Sequence, residues 1–164
     1  MILILEIVSM VILVMVITFI TITIDDIRKR NKSKISFKEA MDLVELPIVT
    51  FYNGDKKLNF LFDTGSNVSY INSSVIPLLV HEKIDKEMNT IGIEGNKVSN
   101  PFCKMSVTYK NQVFEEEFSI ADLDEAFDVV KKESGVQIHG ILGSKFFERY
   151  KYVIDFKELI AYIK

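Results

Sequence analysis

A short polar turn, Asp63-Thr64-Gly65-Ser66, holds the residue types best suited to acid/base chemistry in this sequence. It follows the apolar stretch from Leu58 to Phe62, and the apolar pattern resumes from Val68 to Ile71. A turn that directly follows a strand can hold one carboxylate rigidly among local hydrogen-bond donors, as general acid/base catalysis requires. Asp, Gly and Ser also favour ordinary turns, so the tetrapeptide alone leaves a purely structural role open.

Metal and thiol chemistry have little support in the same sequence. His81 and His139 are the two histidines, and Cys103 is the one cysteine. These residues are too few and too scattered to form a ligand cluster, so neither a metal nor another cofactor is expected. Cys103 cannot form an intrachain disulfide and has no evident base partner, so a thiol nucleophile is not expected either.

A second motif, Ile141-Leu142-Gly143, comes about 80 residues after Asp63 and is followed by a predicted short helix from Lys145 to Tyr150. The order, spacing and strand context of the two motifs resemble the retropepsin-like aspartic proteases. Single-lobe subunits of that family carry Asp-Thr-Gly-Ser/Ala and later a hydrophobic-hydrophobic-Gly segment before a helix. The resemblance covers roughly Leu46 to Lys164.

This resemblance implies a role for each residue of the polar turn. Asp63 would be the catalytic carboxylate, and the Thr64 hydroxyl would hydrogen-bond across a dimer axis. Gly65 would allow close backbone approach, and Ser66 would donate to the outer oxygen of Asp63.

The resemblance also assigns two supporting segments. Ile141, Leu142 and Gly143 would pack behind the turn and fix its position. A predicted hairpin from Thr90 to Val98, with Gly95-Asn96 at its tip, falls where the family has its substrate-covering flap. Ile91-Gly92-Ile93 would then lie over the substrate, although this hairpin lacks an aromatic residue to cover it.

Proteases of this type activate a water molecule between two aspartates, of which one is ionised and the other protonated. No second Asp-Thr-Gly or Asp-Ser-Gly occurs in this chain, and the segment from Leu46 onward has the length of one lobe. The resemblance therefore implies a homodimer in which Asp63 of each subunit meets the other across a two-fold axis. Its substrate would be a protein or peptide.

The pattern of apolar runs and turn residues predicts a mostly β domain that forms a small closed or orthogonally packed barrel. Asn53-Gly54 and Lys110-Asn111 each lie between two strand-like segments and predict hairpins. A further strand pair is predicted from Tyr152 to Phe156 and from Leu159 to Ile163. Helices are predicted from Ser36 to Val44 and from Asp124 to Lys132.

The amino-terminal end has the length and hydropathy of a transmembrane helix, predicted over residues 1–26. From Ile7 to Ile24 no residue is charged, and residues 1–24 would extend roughly 36 Å as a helix, enough to cross a hydrocarbon core of about 30 Å. A cleaved signal peptide is disfavoured because no Lys or Arg precedes Arg28 and no Ala-x-Ala site follows. An apolar surface on all sides also disfavours a buried amphipathic helix.

The flank of this segment predicts its orientation. A basic tether, residues 27–45, follows the apolar run and contains the basic residues Arg28, Lys29, Arg30, Lys32 and Lys34, whereas the amino-terminal flank has none. The positive-inside rule then predicts an outside amino terminus and a cytoplasmic domain over residues 46–164.

The charge balance of the domain disfavours a nucleic-acid partner. Residues 36–164 hold 15 of the 20 Lys and Arg and 20 of the 23 Asp and Glu, a net charge of −5. The main alternative to a protease is a catalytically silent retropepsin-like module that dimerises or binds peptides by strand addition. A membrane-anchored scaffold without a groove is a third reading.

Overall fold

The computed structural model describes residues 10, 12–22, 35–91 and 97–163 of the chain. The chain divides into two units, residues 1–33 and residues 34–164. In the first unit, residues 12–22 are helical and their apolar side chains are exposed. Within the described part of the chain, no helix has the length and apolar character needed to span a membrane. The rest of the predicted transmembrane segment, residues 1–9, 11 and 23–26, lies outside the described residues.

The second unit is mostly β, as predicted. Its described elements are, in chain order, α1 (Phe37–Val44), β1 (Ile48–Asn53), β2 (Lys56–Asp63), β3 (Ser69–Asn72), a 3-10 helix (Ser73–Leu78), β4 (Glu82–Ile91), β5 (Lys97–Tyr109), β6 (Gln112–Ala121), α2 (Asp124–Ser134), β7 (Gly140–Gly143), α3 (Ser144–Tyr150), β8 (Tyr152–Asp155) and β9 (Ile160–Ile163).

Six strands of this unit form a closed barrel. They pair in the order β1-β2-β7-β3-β6-β5, and the ring closes where Tyr52 of β1 pairs with Thr108 of β5. β4 pairs with β5 as an additional strand, and β8 and β9 form a separate two-stranded sheet. The prediction of a small closed barrel is therefore confirmed.

Local turn chemistry produces the hairpins that were expected from the sequence. Gly54 adopts a φ of +55° between β1 and β2, a conformation that costs glycine little. Lys110 and Asn111 have φ values of 45° and 66° in the β5–β6 hairpin, as a two-residue turn with positive φ at both positions requires. β4 begins at Glu82, eight residues before the predicted start of its hairpin at Thr90.

Phenylalanine rings fill the barrel. Phe51, with no exposed surface, makes edge-on contacts with Phe60, Phe114 and Phe146 at centroid separations of 5.8 to 6.1 Å. Burial of several aromatic side chains provides a large share of the hydrophobic stabilisation of a small domain. The β8–β9 sheet joins this core through Tyr152, whose ring lies 5.6 Å from that of Phe62.

The folded unit begins before Leu46, at which the domain was expected to start. Ser36 caps α1 by accepting a hydrogen bond from the Glu39 N–H, and Phe37 of α1 is part of the core. Ile35 is buried, and its carbonyl accepts a hydrogen bond from the N–H of Thr50 in β1. Ile35 and α1, expected to be part of the tether, are therefore packed against the barrel.

A buried polar network joins this amino-terminal segment to the strand before the candidate site. The Ile35 N–H donates to Thr50 Oγ1 (2.7 Å), and that hydroxyl lies 2.7 Å from Asn59 Oδ1. Asn59 in turn donates its side-chain Nδ2 to the Gln137 carbonyl and its backbone N–H to His139 Nδ1. Because Nδ1 accepts this bond, His139 must be neutral in the folded state.

Protonation of His139 should therefore destabilise the fold. Burial lowers the pKa of His139 below its usual range, and the positive charge of Lys131 acts in the same direction. The unfolded chain then binds a proton at higher pH than the folded chain does. The free energy of unfolding is expected to fall as the pH drops below about 6.5, by up to about 1.4 kcal/mol per pH unit.

Urea unfolding of the full chain between pH 7.5 and 5 tests this expectation. In His139→Asn, which keeps an acceptor but does not titrate in this range, the pH dependence should become shallower. The matched control is His81→Asn, which removes the other histidine and leaves the bond to His139 Nδ1 in place. Equal slopes in wild type and His139→Asn would contradict the assignment.

Candidate active site

Asp63 is the last residue of β2 and its side chain is half-buried. The carboxylate oxygen Oδ1 accepts a hydrogen bond of 2.9 Å from the Gly65 N–H. This bond orients the carboxylate and leaves its other oxygen, Oδ2, for a further partner. A Cβ at residue 65 would lie 3.1 Å from Oδ1, so the absence of a side chain at Gly65 leaves room for the acid.

The polar turn has its own internal hydrogen bonds. The Ser66 N–H donates to the Asp63 carbonyl (3.2 Å), which closes the turn. The Ser66 hydroxyl donates to the Val68 carbonyl (2.8 Å). The resemblance implied that this hydroxyl donates to Asp63. In the structure it donates to the Val68 carbonyl instead. Thr64 and Gly65 are exposed at the tip of the turn.

The turn connects two strands that are not neighbours, because β7 lies between them. β2 pairs in parallel with β7, with Asp63 opposite Gly143 and Phe62 opposite Leu142. On its other side β7 pairs with β3, Tyr70 lying opposite Ile141. The chain must therefore cross the end of β7 in five residues, a distance of about two strand spacings, or roughly 9.5 Å.

Gly143 makes this crossing possible. A Cβ at residue 143 would lie 2.4 Å from the Val68 carbonyl oxygen and 3.0 Å from that of Ser66. No side chain fits at such distances, so the turn can lie directly against the backbone of β7 only because residue 143 is glycine. Leu142, with no exposed surface, points into the barrel core next to this contact.

The first residue of α3 also holds the turn in place. The Ser144 N–H donates to the Ser66 carbonyl at 2.7 Å, and the Ser144 hydroxyl donates to the same oxygen at 2.9 Å. Gly143 occupies the N-cap position of α3, and the Ser144 side chain binds the turn.

The structure thus brings together most of the residues that the sequence singled out. Asp63, Gly65 and Ser66 lie in one turn with Thr64, and Ile141, Leu142 and Gly143 form the strand beside it. Ile91 ends β4 and pairs with Lys97 at the base of the predicted flap hairpin. Gly92 and Ile93 lie outside the described residues, so their expected position over the substrate stays a prediction.

Sequence reasoning did not identify three polar residues behind the turn. The Ser69 hydroxyl accepts a hydrogen bond from the Gly143 N–H (3.2 Å) and donates to Glu116 Oε1 (3.0 Å). Arg149 Nη1 lies 2.9 Å from Glu116 Oε2. Of these three residues, Glu116 could have been identified from the sequence of β6, where alternation places it on the same face as Phe114 and Phe118. An acid on an otherwise apolar strand face indicates a specific partner.

Within residues 10, 12–22, 35–91 and 97–163, no group of three or more His, Cys, Asp or Glu side chains could hold a metal ion. The buried Cys103 has a pKa raised to about 11 by burial. Its thiol is therefore protonated near neutral pH and is a poor nucleophile. Of the groups at or near the turn, the Asp63 carboxylate remains the one suited to acid/base chemistry.

No protein-family model matches the chain, and no curated protein matches it. Solved structures do. The EIAV protease complexed with the inhibitor HBY-793 matches with a TM-score of 0.49 and 19% identity, over 66% of this chain and 90% of that one. The retroviral protease-like domain of Ddi1 from Leishmania major matches with a TM-score of 0.49 and 15% identity, over 73% and 88% of the two chains.

A third structure, the foamy viral protease-reverse transcriptase in complex with an RNA/DNA hybrid, matches with a TM-score of 0.44 and 12% identity. This match covers 64% of the present chain and 12% of the other. Identities in this range do not transfer an activity from one protein to another.

Replacement of Gly143 by alanine should disrupt both the turn and the fold. The new Cβ would overlap the Val68 carbonyl, and either the turn or β7 must move to admit it. We expect Gly143→Ala to lower the free energy of unfolding by about 1–3 kcal/mol or more, the usual cost of overpacking. Urea unfolding measures this change.

A second glycine provides the control for that variant. A Cβ at Gly54 would meet nothing within 4 Å, so the strain of a left-handed backbone, which asparagine tolerates better than most residues, is the one cost there; Gly54→Asn should lower the stability by about 1 kcal/mol or less, and by less than Gly143→Ala does. Gly143→Ala with the stability of wild type would show that the close contact between the turn and β7 is not required.

Proposed function

We propose that this chain is an aspartic endopeptidase of the retropepsin-like type, in which Asp63 is the catalytic carboxylate. One observation carries the proposal: Asp63 lies at the end of β2 on a turn that is held by close contact with Gly143 of β7 and by two hydrogen bonds from Ser144 of α3. An ordinary surface turn needs neither a glycine contact of this closeness nor two hydrogen bonds from Ser144 to one carbonyl. Rigid presentation of an acid is what general acid/base catalysis requires.

A second carboxylate must come from another copy of the chain. The reaction needs one group that takes a proton from water and another that gives a proton to the substrate, and one ionised acid cannot do both at once. The sequence has no second Asp-Thr-Gly or Asp-Ser-Gly. The active enzyme is then a homodimer, with the exposed tips of the two turns facing each other across a two-fold axis.

In this dimer the two Asp63 side chains share one proton and hold a water molecule between them. The ionised carboxylate takes a proton from the water while the water oxygen attacks the peptide carbonyl carbon. The protonated carboxylate gives its proton to the carbonyl oxygen, which forms a neutral tetrahedral diol. Proton transfer to the amide nitrogen then breaks the C–N bond and releases an acid and an amine, so the reaction consumes one water and needs no cofactor.

The amino-terminal segment extends the proposal to a membrane. The uncharged run from Ile7 to Ile24 and the basic flank that follows support a single-pass anchor over residues 1–26, with the amino terminus outside and the protease domain in the cytoplasm. Confinement of two chains to one membrane raises their effective concentration and so favours the dimer. Protein or peptide segments close to the membrane would be the substrates.

Replacement of Asp63 by asparagine should abolish cleavage. An amide neither accepts the proton of the water nor shares a proton with its partner. We expect Asp63→Asn to lower peptide hydrolysis by about 10²- to 10⁴-fold, the usual contribution of a general acid or base. The measurement is digestion of a peptide library by the full chain in detergent micelles at pH 4 to 7, read by mass spectrometry.

Asp55→Asn is the matched control, because Asp55 is likewise an acid at a turn but is exposed and belongs to the β1–β2 hairpin. It should cleave at the wild-type rate. Cleavage that persists in Asp63→Asn would refute the proposal, as would the absence of cleavage by wild type under conditions that favour dimers. Peptide binding without turnover, unchanged in Asp63→Asn, would support a catalytically silent peptide-binding module instead.

A further inference from the structure

The polar residues behind the turn pose a physical question, because an acid there is costly. Glu116 is 3% exposed and lies between Phe114 and Phe118 on the inner face of β6. A buried ion pair contributes little net stability, and apolar side chains of similar volume often serve as well or better. Stability alone therefore does not explain a buried acid at residue 116, and the groups that Glu116 orients become important.

Glu116 orients the hydroxyl of Ser69. A hydroxyl has one proton to donate, and an ionised carboxylate can only accept. With Glu116 Oε1 at 3.0 Å, the Ser69 proton points to the carboxylate and a lone pair stays available for the Gly143 N–H. Ser69 is 1% exposed, so water does not compete for either bond.

The Gly143 N–H needs this acceptor because of its position in the sheet. The last described pair of β3 with β7 is Tyr70 with Ile141, so Gly143 lies beyond the end of that ladder. At this point the backbone of β3 leaves the ladder towards the turn, and the Ser69 hydroxyl accepts the bond from the Gly143 N–H. Gly143 is also the residue opposite Asp63, so its position sets the position of the acid.

Arg149 completes the arrangement from α3. Its guanidinium lies 2.9 Å from Glu116 Oε2, and its side chain is 51% exposed, so the charge of the buried acid is balanced at the surface of the barrel. Arg149 Nη1 also donates to the Glu115 carbonyl at 3.4 Å. The helix that begins directly after Gly143 is thus tied at its other end to the strand that carries Glu116.

We infer that Ser69, Glu116 and Arg149 form a positioning network that fixes Gly143 and, through it, the catalytic geometry of Asp63. The inference rests on the proposed function for its effect on catalysis. None of the three residues touches the reacting atoms. Each acts through the strand opposite the acid, so loss of the network should reduce turnover and leave substrate binding unchanged.

Kinetics of single variants test this inference in the full chain, on a peptide that wild type cleaves. We expect Ser69→Ala and Glu116→Gln to lower kcat by about 10- to 100-fold, since a displacement of about 1 Å at a reacting group costs up to roughly 10²-fold. KM should change less than about twofold, because an interaction felt only in the transition state is lost. Glu115→Gln is the matched control and should retain the wild-type kcat, because Glu115 is exposed and binds Lys104.

Arg149→Lys is a variant that should fold even if a buried substitution does not, because it keeps a positive charge beside Glu116 at a half-exposed position. Arg149→Gln leaves the buried charge unpaired and so also lowers the stability; in the folded protein it should lower kcat less than Glu116→Gln does. Arg149→Lys, which keeps the positive charge, should recover part of that loss. If the three residues act as one network, the double variant Glu116→Gln/Arg149→Gln should lose no more than Glu116→Gln alone.

Hydrogen exchange of the Gly143 amide gives a readout that does not depend on catalysis. In ¹⁵N-labelled full chain, Ser69→Ala and Glu116→Gln should speed this exchange about tenfold, as expected for one lost hydrogen bond. A wild-type kcat in folded Ser69→Ala and Glu116→Gln, or an equal loss in Glu115→Gln, would overturn the inference. If wild type cleaves no peptide, the proposed function fails, and unchanged Gly143 exchange would then overturn the network as well.

Discussion

The candidate site depends on one steric constraint, the passage of the turn after Asp63 across the end of β7. β2 and β3 are joined by five residues, yet β7 lies between them and pairs with both. Carbonyl groups of the turn therefore lie where a side chain of residue 143 would have to be. Glycine at this position, the parallel pairing of β2 with β7 and the two bonds from Ser144 to Ser66 all serve the same contact. The contact fixes the backbone of the turn, and the Gly65 N–H orients the Asp63 carboxylate on it.

The proposed mechanism needs two carboxylates, and Asp63 of one chain would supply one of them. One carboxylate on one chain cannot act as base and acid in the same step, so the proposed activity exists only in the dimer. In this proposal, formation of the dimer would control the activity. A membrane anchor would make that pairing depend on the density of the protein in the membrane.

Local features of this fold were predictable from the sequence, and features set by distant pairings were not. Asn53-Gly54 and Lys110-Asn111 specify their hairpins because the backbone conformation is decided within a few residues. β4 was placed too late, since from Glu82 it is dominated by charged and polar residues without an apolar run. The insertion of β7 between β2 and β3 depends on contacts between residues about 80 positions apart, which no local pattern describes.

The same distinction applies to the site. Asp63, Gly65 and Gly143 were identified from their motifs, whereas the acceptors of the Ser66 and Ser144 hydroxyls follow from the packing of turn against strand. Glu116 could have been found from the alternation of β6, because it lies on the same strand face as Phe114 and Phe118. Its partners Ser69 and Arg149 could not, since they come from other elements of the barrel.

In the proposed enzyme, two chains each contribute one Asp63 to a single active site. Subunit mixing tests it most directly: wild-type chains are combined at equal total concentration with rising fractions of Asp63→Asn chains, and peptide hydrolysis is measured after exchange. If both carboxylates are needed, activity follows the square of the wild-type fraction and falls to about a quarter in an equal mixture. Activity that falls linearly, to about a half in that mixture, would contradict a site shared between two subunits.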